Sequence, residues 1–218
     1  MWTLRHAPDA YRSHRNLGAV YHLQGRFAEA AAAFQQSLQI RPSASVYSNL
    51  GTSLFFQGLY RESVAAMEKA RDLGANDFQT WANLADAYRW TPGKEREAVG
   101  AYQRAIQLAR EALAAKPGDA GLRSRLAVYL AKSGERERAL AEAAGAEAAA
   151  GKNAPTLARL VVAYEVSGRR EKALAAMEAA LKAGHSAEEF RLDPELLELR
   201  KDPKYHMLIA RFTDAPRD

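Results

Sequence analysis

The chain contains no cysteine, and among its 218 residues only 8 are proline and 14 are glycine. Without cysteine, a disulfide framework and a thiol nucleophile are both excluded. No apolar stretch approaches the roughly 18 residues that a membrane span needs, and residues 1–6 lack the apolar core of a signal peptide. We therefore expect a cytoplasmic protein that has no membrane partner.

Side chains that support catalysis are also scarce. The chain has 5 histidines, and His14 and His22 are eight residues apart, too far to share a metal ion without a third ligand. The glycines do not form the G-x-x-x-x-G-K pattern of a phosphate-binding loop, and no Ser-His-Asp arrangement can be nominated. We therefore expect no enzymatic activity, no cofactor and no metal.

The net charge is small. Lys plus Arg is 31 and Asp plus Glu is 26, which gives +5. Many charges alternate in sign, as in residues 94–97 and 135–138, and such runs are typical of solvated helix surface. Nucleic-acid binding is therefore the weaker alternative to a protein partner, and it would predict a steep loss of affinity with salt.

The sequence does contain one pattern that recurs five times. The run Asn-Leu-Gly at residues 16–18 returns at 49–51 and, as Asn-Leu-Ala, at 83–85. Weaker copies follow, and the anchoring leucines are Leu17, Leu50, Leu84, Leu126 and Leu160, at steps of 33, 34, 42 and 34 residues. A step near 34 with helical spacing inside each copy predicts a solenoid of helix pairs.

The first copy shows how one repeat would fold. Leu17 and Tyr21 are four residues apart and share one face of a first helix. Gly18 is small, so a second helix can approach closely there. Gly25 can adopt the positive φ that ends the first helix, and Pro42 stops the second because proline cannot continue its hydrogen-bond ladder.

This pattern resembles the tetratricopeptide repeat (TPR) over roughly residues 11–185, with Trp81 where the family favours tryptophan. The resemblance implies an all-α fold, a right-handed superhelix (α-solenoid) of five helix pairs with a C-terminal capping segment. We expect an N-terminal extension at 1–10, repeats at 11–43, 44–77, 78–119, 120–153 and 154–185, and capping helices with a tail at 186–218.

The step of 42 residues departs from the family. One extra residue falls in the turn at 90–93, and the other seven fall within 106–116, among strong helix formers. We expect the second helix of the third repeat to be about two turns longer, at ~3.6 residues per turn, and to end before Pro117. The added turns either project from the convex surface or serve as a docking ridge.

The pattern changes after residue 185. Asp193-Pro194 and Asp202-Pro203 each match an N-cap followed by a first-turn proline, so each pair predicts the start of a short helix. An open solenoid end has to be covered, and these two helices are expected to cover it.

In TPR proteins the first helices form a concave groove that takes an extended peptide. The column before each anchoring leucine is Asn16, Asn49, Asn83, Arg125 and Arg159. A primary amide suits an extended peptide backbone, and arginine can hold a carboxylate through two hydrogen bonds. The asparagines resemble the asparagine ladder of some TPR proteins. The expected peptide-binding residues are Asn16, Asn49, Asn83, Arg125, Arg159, Arg12, Thr52, Phe56, Arg89, Trp90 and Lys132.

Each of these assignments has a structural alternative. The asparagines could bond to a neighbouring helix with no ligand, and the two arginines of the column could be solvated surface charges. Phe56 and Trp90 could pack between first helices instead of contacting a partner. An excess of positive charge on the groove side favours an acidic partner.

We interpret the chain as a protein-interaction module that binds an extended, acidic peptide segment. It resembles the TPR tails of bacterial signalling proteins, such as eukaryotic-like serine/threonine kinases and cyclase or regulator fusions, which implies a regulatory tail of a larger protein. The alternative is a self-assembling scaffold, a homo-oligomer formed through the N-terminal face or through the long helix of the third repeat.

Overall fold

The computed structural model describes residues 8–213, and these form α-helices and two 3-10 turns, with no β-strand in that range. The predicted all-α class is therefore confirmed. Most of the expected N-terminal extension and the end of the expected tail, residues 1–7 and 214–218, lie outside the described residues.

Ten helices follow one another in the repeat region. They are α1 (Pro8–Leu23), α2 (Phe27–Ile40), α3 (Ala44–Phe56), α4 (Tyr60–Asp72), α5 (Phe78–Arg89), α6 (Glu95–Ala115), α7 (Ala120–Lys132), α8 (Arg136–Ala150), α9 (Ala154–Val166) and α10 (Arg170–Lys182). The C-terminal segment adds α11 (Ala187–Leu192), 3-10 turns at Pro194–Leu196 and Leu199–Lys201, and α12 (Pro203–Thr213).

The turn inside each of the five helix pairs contains a glycine in the left-handed region. Gly25 has φ of 73°. Residues with a Cβ rarely adopt this conformation, so glycine is the residue that ends α1 at little cost. Its N–H donates to the carbonyl of His22 at 3.0 Å, and the next N–H, of Arg26, reaches the carbonyl of Tyr21 at 2.9 Å. The corresponding glycine of every later pair also has positive φ, which confirms the role predicted for Gly25.

The chain divides into two compact parts, the N-terminal unit (Met1–Ala105) and the C-terminal unit (Ile106–Asp218), with the boundary inside α6. In the N-terminal unit, α1 to α4 each pack against the next helix, and the first helices α1 and α5 both contact α3. Its core combines Leu50 and Leu84 of first helices with Phe34, Met67 and Tyr102 of second helices.

Two glycines let second helices approach first helices in this unit. A Cβ added at Gly18 would lie 2.6 Å from a ring carbon of Phe34, and one at Gly51 would lie 2.5 Å from Cγ of Met67. Real Cβ atoms essentially never come so close. The close approach predicted at Gly18 is therefore confirmed, and it recurs at Gly51.

The anchoring leucine of the first repeat differs from its counterparts. Leu17 is 42% exposed, whereas Leu50 is 6% exposed and Leu84 is fully buried. Leu50 lies in one cluster with Ala30 and Phe34 of the preceding helix pair. Within the described residues no helix pair precedes α1, so Leu17 has no equivalent neighbours.

In the C-terminal unit α7 to α10 again pack in sequence, and the two first helices, α7 and α9, run side by side. The fully buried residues of α8 are all alanines, as in Ala143 and Ala146. At 21 residues, α6 is longer than the other second helices, which have 13 to 15, so the longer helix predicted for the third repeat is confirmed.

The C-terminal segment packs on α9 and α10. As predicted, Asp193 and Asp202 act as N-caps, each accepting a hydrogen bond at 2.9 Å from the N–H two residues later. Only the second starts a helix, since Pro194 begins a 3-10 turn of three residues. The prediction missed α11, whose N-cap is Ser186. The segment buries Phe190, Leu196, Leu199, Tyr205 and Ile209 in one cluster with Leu160, Tyr164 and Met177.

Candidate functional site

The asparagines of the N-terminal unit occupy the same place on α1, α3 and α5. Asn16 and Asn49 are exposed. The side-chain oxygen of Asn16 accepts hydrogen bonds from the guanidinium of its neighbour Arg15, at 3.1 and 3.3 Å. Asn49 has no side-chain hydrogen bond to any residue between 8 and 213. We call Asn16, Asn49 and Asn83 the amide row.

Asn83 is the half-buried member of the row. Its amide nitrogen donates to the hydroxyl of Thr52 on α3 at a long 3.4 Å, and Thr52 donates in turn to the carbonyl of Ser48 at 3.0 Å. The structure therefore brings two of the expected peptide-binding residues together. A bond of 3.4 Å is weak, and a ligand group could replace it at little cost.

Phe56 and Trp90 belong to a strip of rings along the ends of the helices in the N-terminal unit. The strip consists of His22, Phe27, Phe56, Phe55, Tyr60 and Trp90. Phe27 stacks on Phe56 with ring centroids 4.8 Å apart, and Tyr60 stacks on Trp90 at 5.5 Å. Phe56 is still 38% exposed. The two predicted residues thus pack against neighbouring helices, and part of Phe56 faces solvent.

Phe27 and Tyr60 were missed by the sequence reasoning. Each follows the turn glycine of its helix pair by two residues, Gly25 in one case and Gly58 in the other. An aromatic residue at this repeated place was the signal that could have revealed the strip.

The two arginines of the column line a pocket of ≈ 520 Å³ in the C-terminal unit. Arg125 comes from α7 and Arg159 from α9, and the pocket also contains Asp119, Asn153 and Pro155. Burial lowers the pKa of Arg159 to about 10, and the positive charge of Arg125 acts in the same direction. Neither guanidinium forms an ion pair or a hydrogen bond with any residue that the structure describes.

The other polar groups of the pocket serve their own helices. A carboxylate oxygen of Asp119 accepts from the N–H of Leu122 at 2.9 Å, and the side-chain oxygen of Asn153 accepts from the N–H of Thr156 at 3.0 Å. These N-cap bonds occupy donors at the starts of α7 and α9. The positive charge of the pocket therefore comes from the guanidinium groups.

The remaining expected residues differ in how exposed they are. Arg12 and Arg89 are exposed, near the start of α1 and at the end of α5. Lys132 instead lies 3.4 Å from the carboxylate of Glu195, and only 9% and 6% of these two side chains are exposed. This ion pair joins α7 to the C-terminal segment, so the charge of Lys132 is already compensated inside the protein.

Residues 11–43 match one family model described as tetratricopeptide repeat, and residues 48–120 match a second with the same description. Residues 11–43 and 48–120 therefore carry tetratricopeptide repeats. The two matched ranges contain the entire amide row, whereas Arg125 and Arg159 lie beyond them in α7 and α9. No curated protein matches the chain in sequence.

Two solved structures with TM-scores above 0.5 have the same kind of fold. TTC0263, a thermophilic TPR protein in Thermus thermophilus, is 21% identical over 91% of this chain and 98% of that one, with a TM-score of 0.62. The Cut9 and Hcn1 hetero-tetramer of the APC/C is 16% identical over 97% of this chain and 41% of that one, at 0.56. YrrB, described as a TPR protein with an unusual peptide-binding site, is 20% identical over 87% and 91%, at 0.45. At these identities the likeness to the first two structures concerns the fold alone.

Residues 8–213 contain no group of three or more histidine, aspartate and glutamate side chains placed to hold a metal ion. In the same range, no helix combines the length and the apolar character required to cross a membrane.

Proposed function

We propose that this TPR protein is an interaction module that binds an extended, acidic peptide segment of a partner along its first helices. The observation that carries the proposal is the amide row, in which three asparagines repeat on neighbouring helices and Asn49 has no bond within the described residues. A backbone in extended form offers alternating donors and acceptors, and primary amides can pair with both. The proposal assigns no catalytic step to the chain.

Positive side chains support an acidic ligand. Arg12 is exposed on α1, four residues before Asn16, and Arg125 and Arg159 form no ion pair with any described carboxylate. Such charges attract acidic segments and raise the rate of encounter. We leave Lys132 out of the surface because Glu195 already pairs with it. A regulatory tail in a bacterial signalling protein of the cytoplasm remains the setting that we propose from the sequence.

A peptide-display selection tests this function even while the partner is unidentified. The protein is immobilised, random peptides are selected on it, and the enriched sequences are synthesised and their affinities measured. We expect enriched peptides with an excess of Asp and Glu. Each lost hydrogen bond is worth about 0.5–1.5 kcal/mol, so the variant Asn49→Ala/Asn83→Ala should bind them about tenfold more weakly.

The matched control removes two amides elsewhere. Gln36 and Gln39 are exposed on α2, a second helix, so Gln36→Ala/Gln39→Ala should keep the affinity of the parent protein. If no peptide is enriched, or if the double asparagine variant binds as tightly as this control, the proposed function is wrong.

Self-assembly is the second candidate, and one observation favours it. The outer face of α1 exposes Leu17, Val20 and Leu23, the last of them 85% exposed. Light scattering at two concentrations tests this candidate. Self-assembly predicts that the dimeric fraction rises with concentration and is lost in Val20→Glu/Leu23→Glu. The control Leu197→Glu, at an exposed leucine of the C-terminal segment, should leave the dimeric fraction unchanged.

A further inference from the structure

The C-terminal segment reaches across the first helices on the side that carries the column. Lys132 follows Arg125 by seven residues, about two helical turns, so both lie on the same side of α7. The carboxylate of Glu195 lies 3.4 Å from Nζ of Lys132. The 3-10 turn that contains Glu195 also packs on α9, and α9 packs beside α7. This turn therefore spans two first helices of the C-terminal unit.

Apolar residues of the same segment cover the corresponding side of α9. Val162 and Val166 follow Arg159 by three and seven residues, so they share its side of the helix. Val162 belongs to the buried cluster that contains Leu196 and Leu199. Val166 packs against the same cluster. Part of the first-helix surface is thus occupied by residues of the chain itself.

We call residues 193–202 the strap. The helices on either side of the strap have attachments of their own. Before it, α11 buries Phe190, and after it, α12 buries Tyr205 and Ile209. In addition, Lys204 of α12 forms an ion pair with Glu171 of α10 at 2.9 Å. The strap can therefore leave α7 and α9 while both of its ends stay attached.

The strap is built from short turns. Each of its two 3-10 turns contains three residues, and the N–H groups of Leu196 and Lys201 reach their carbonyl acceptors at 3.2 Å, the long end of the usual range. Leu197 is 50% exposed, and the next residue, Glu198, is exposed as well. Weak local bonds and exposed side chains are typical of segments that open before the rest of a protein unfolds.

The contact between the strap and α7 is an ion pair that is almost completely buried. Only 9% of the Lys132 side chain and 6% of the Glu195 side chain are exposed. Desolvation offsets much of the attraction in such a pair, and apolar residues of similar size often close a surface as stably. The pair therefore adds specificity more than stability. It also places an acidic side chain of the strap on the helices that we propose for an acidic partner.

We propose that the strap is an autoinhibitory occupant of the first-helix surface, which covers the C-terminal ends of α7 and α9 and is displaced when a partner peptide binds. That the partner is a peptide rests on the proposed function, whereas opening of the strap can be measured in the chain alone. A protein that is competent to bind only when the strap is open has an apparent affinity reduced by the open fraction. A change that opens the strap should therefore tighten binding.

The first experiment measures opening without any ligand. Native-state hydrogen exchange of the full chain compares the N–H groups of Leu196, Lys201 and Asp202 with those inside α9. We expect the open fraction of the strap to be about tenfold or more above that of α9. Glu195→Gln removes a carboxylate beside the buried ammonium of Lys132, so it should raise the open fraction by about a further tenfold.

Two further variants test whether the ion pair is responsible. Glu198→Gln changes an exposed carboxylate of the strap that pairs with Lys201 at 2.6 Å, and it should leave opening unchanged. Lys132→Gln/Glu195→Gln removes both buried charges and should open less often than Glu195→Gln alone. If the strap exchanges at the rate of α9 in the parent protein and in Glu195→Gln, it is a permanent cap and the proposal is overturned.

The second experiment tests displacement. The probe is a fluorescein-labelled synthetic peptide with the sequence of residues 191–202, acetylated at the N-terminus and amidated at the C-terminus. Fluorescence anisotropy should show that it binds Glu195→Gln about tenfold more tightly than the parent protein or Glu198→Gln, because the intact strap competes with it. Equal affinity for all three proteins, or binding to none, would mean that the strap cannot be replaced and would contradict the proposal.

Peptides from the display selection connect the strap to the proposed function. We expect them to displace the labelled probe from Glu195→Gln and to bind this variant about tenfold more tightly than Glu198→Gln. Selected peptides that bind equally to both variants and leave the probe in place would overturn the autoinhibitory role while the proposed function stands. A selection without enriched peptides would overturn the proposed function, and the probe would still decide whether the strap is displaceable.

Discussion

The two units solve the same packing problem with different side chains. In the N-terminal unit, Phe34 on a second helix fits over Gly18 on a first helix. In the C-terminal unit the corresponding residue of α8 is Ala143, and it lies in one buried cluster with Ala127 of α7. A large residue over a small one and two small residues together both bring helices close. The repeat therefore accepts side chains of different size at this position.

The column residues of the two units differ in the free energy that their surroundings cost them. Asn49 is neutral and exposed, so it loses little by remaining unbonded. Arg159 is charged, and burial together with the positive charge of Arg125 lowers its pKa. Perturbed groups of this kind cluster at functional sites. Within the column, the most strongly perturbed side chain is therefore in the C-terminal unit.

The largest expected effect separates two leucines at the same place in the repeat. Leu160→Ala removes a fully buried side chain and should lower the free energy of unfolding by about 2–5 kcal/mol. Leu17→Ala, at an exposed leucine, should cost less than about 1 kcal/mol because little apolar surface is lost. Urea unfolding followed by circular dichroism measures both. Equal losses would contradict the difference in packing between the first repeat and the fifth.

The next effect concerns the close contact of the N-terminal unit. Alanine favours a helix over glycine by about 1 kcal/mol, but at Gly18 the new Cβ would overlap the rigid ring of Phe34. Overpacking costs about 1–3 kcal/mol, so we expect Gly18→Ala to destabilise the protein. Gly100 on α6 is the control, because a Cβ there meets no atom within 4 Å and Gly100→Ala should stabilise. Thermal unfolding gives both signs, and a stabilising Gly18→Ala would show that the helices can separate.

Helix pairing could be predicted because the information is local and repeated. The step of about 34 residues, the turn glycines and the prolines after helices each mark the end of a helix or of a repeat. Tertiary packing did not change these local preferences. The exposure of Leu17 could not be predicted, because burial of an anchoring leucine depends on the helix pair before it. Within the C-terminal segment, α11 was missed because its six residues are too few for a periodic pattern.

The sequence was sufficient to predict which residue types form the column. It was not sufficient to predict how deeply they are buried or which charges surround them. Spacing placed Arg125 and Arg159 at equivalent positions, but it does not state how deeply each is buried or whether a carboxylate is near. The compensation of Lys132 by Glu195 joins residues far apart in sequence. That pair depends on how the C-terminal segment packs against α7, which the repeat pattern does not encode.

A smaller effect tests the cost of the arginine in the C-terminal unit. The Arg159 guanidinium remains charged at pH 7, but burial and the nearby Arg125 destabilise that charge relative to the unfolded chain, so its removal should stabilise the fold. After allowance for partial exposure we expect Arg159→Leu to add about 1 kcal/mol, or about 2–4 °C in Tm. Arg136→Leu, at an exposed arginine, should change stability by less than about 0.5 kcal/mol. A lower Tm for Arg159→Leu would mean that Arg159 is a structural residue.

The smallest effect compares one histidine in each unit. Burial lowers the pKa of both His22 and His185. Above the unfolded value, about 6.5, both states are neutral and stability is complete. As the pH falls through that value the unfolded state takes up the proton first, so stability declines until the folded pKa is reached. We expect each histidine to contribute a loss of stability that begins as the pH falls through about 6.5. His22→Gln and His185→Gln should each flatten the profile, and Arg159→Leu should reduce the share of His185 alone. An equal reduction for His22 would contradict the assignment of that charge to the C-terminal unit.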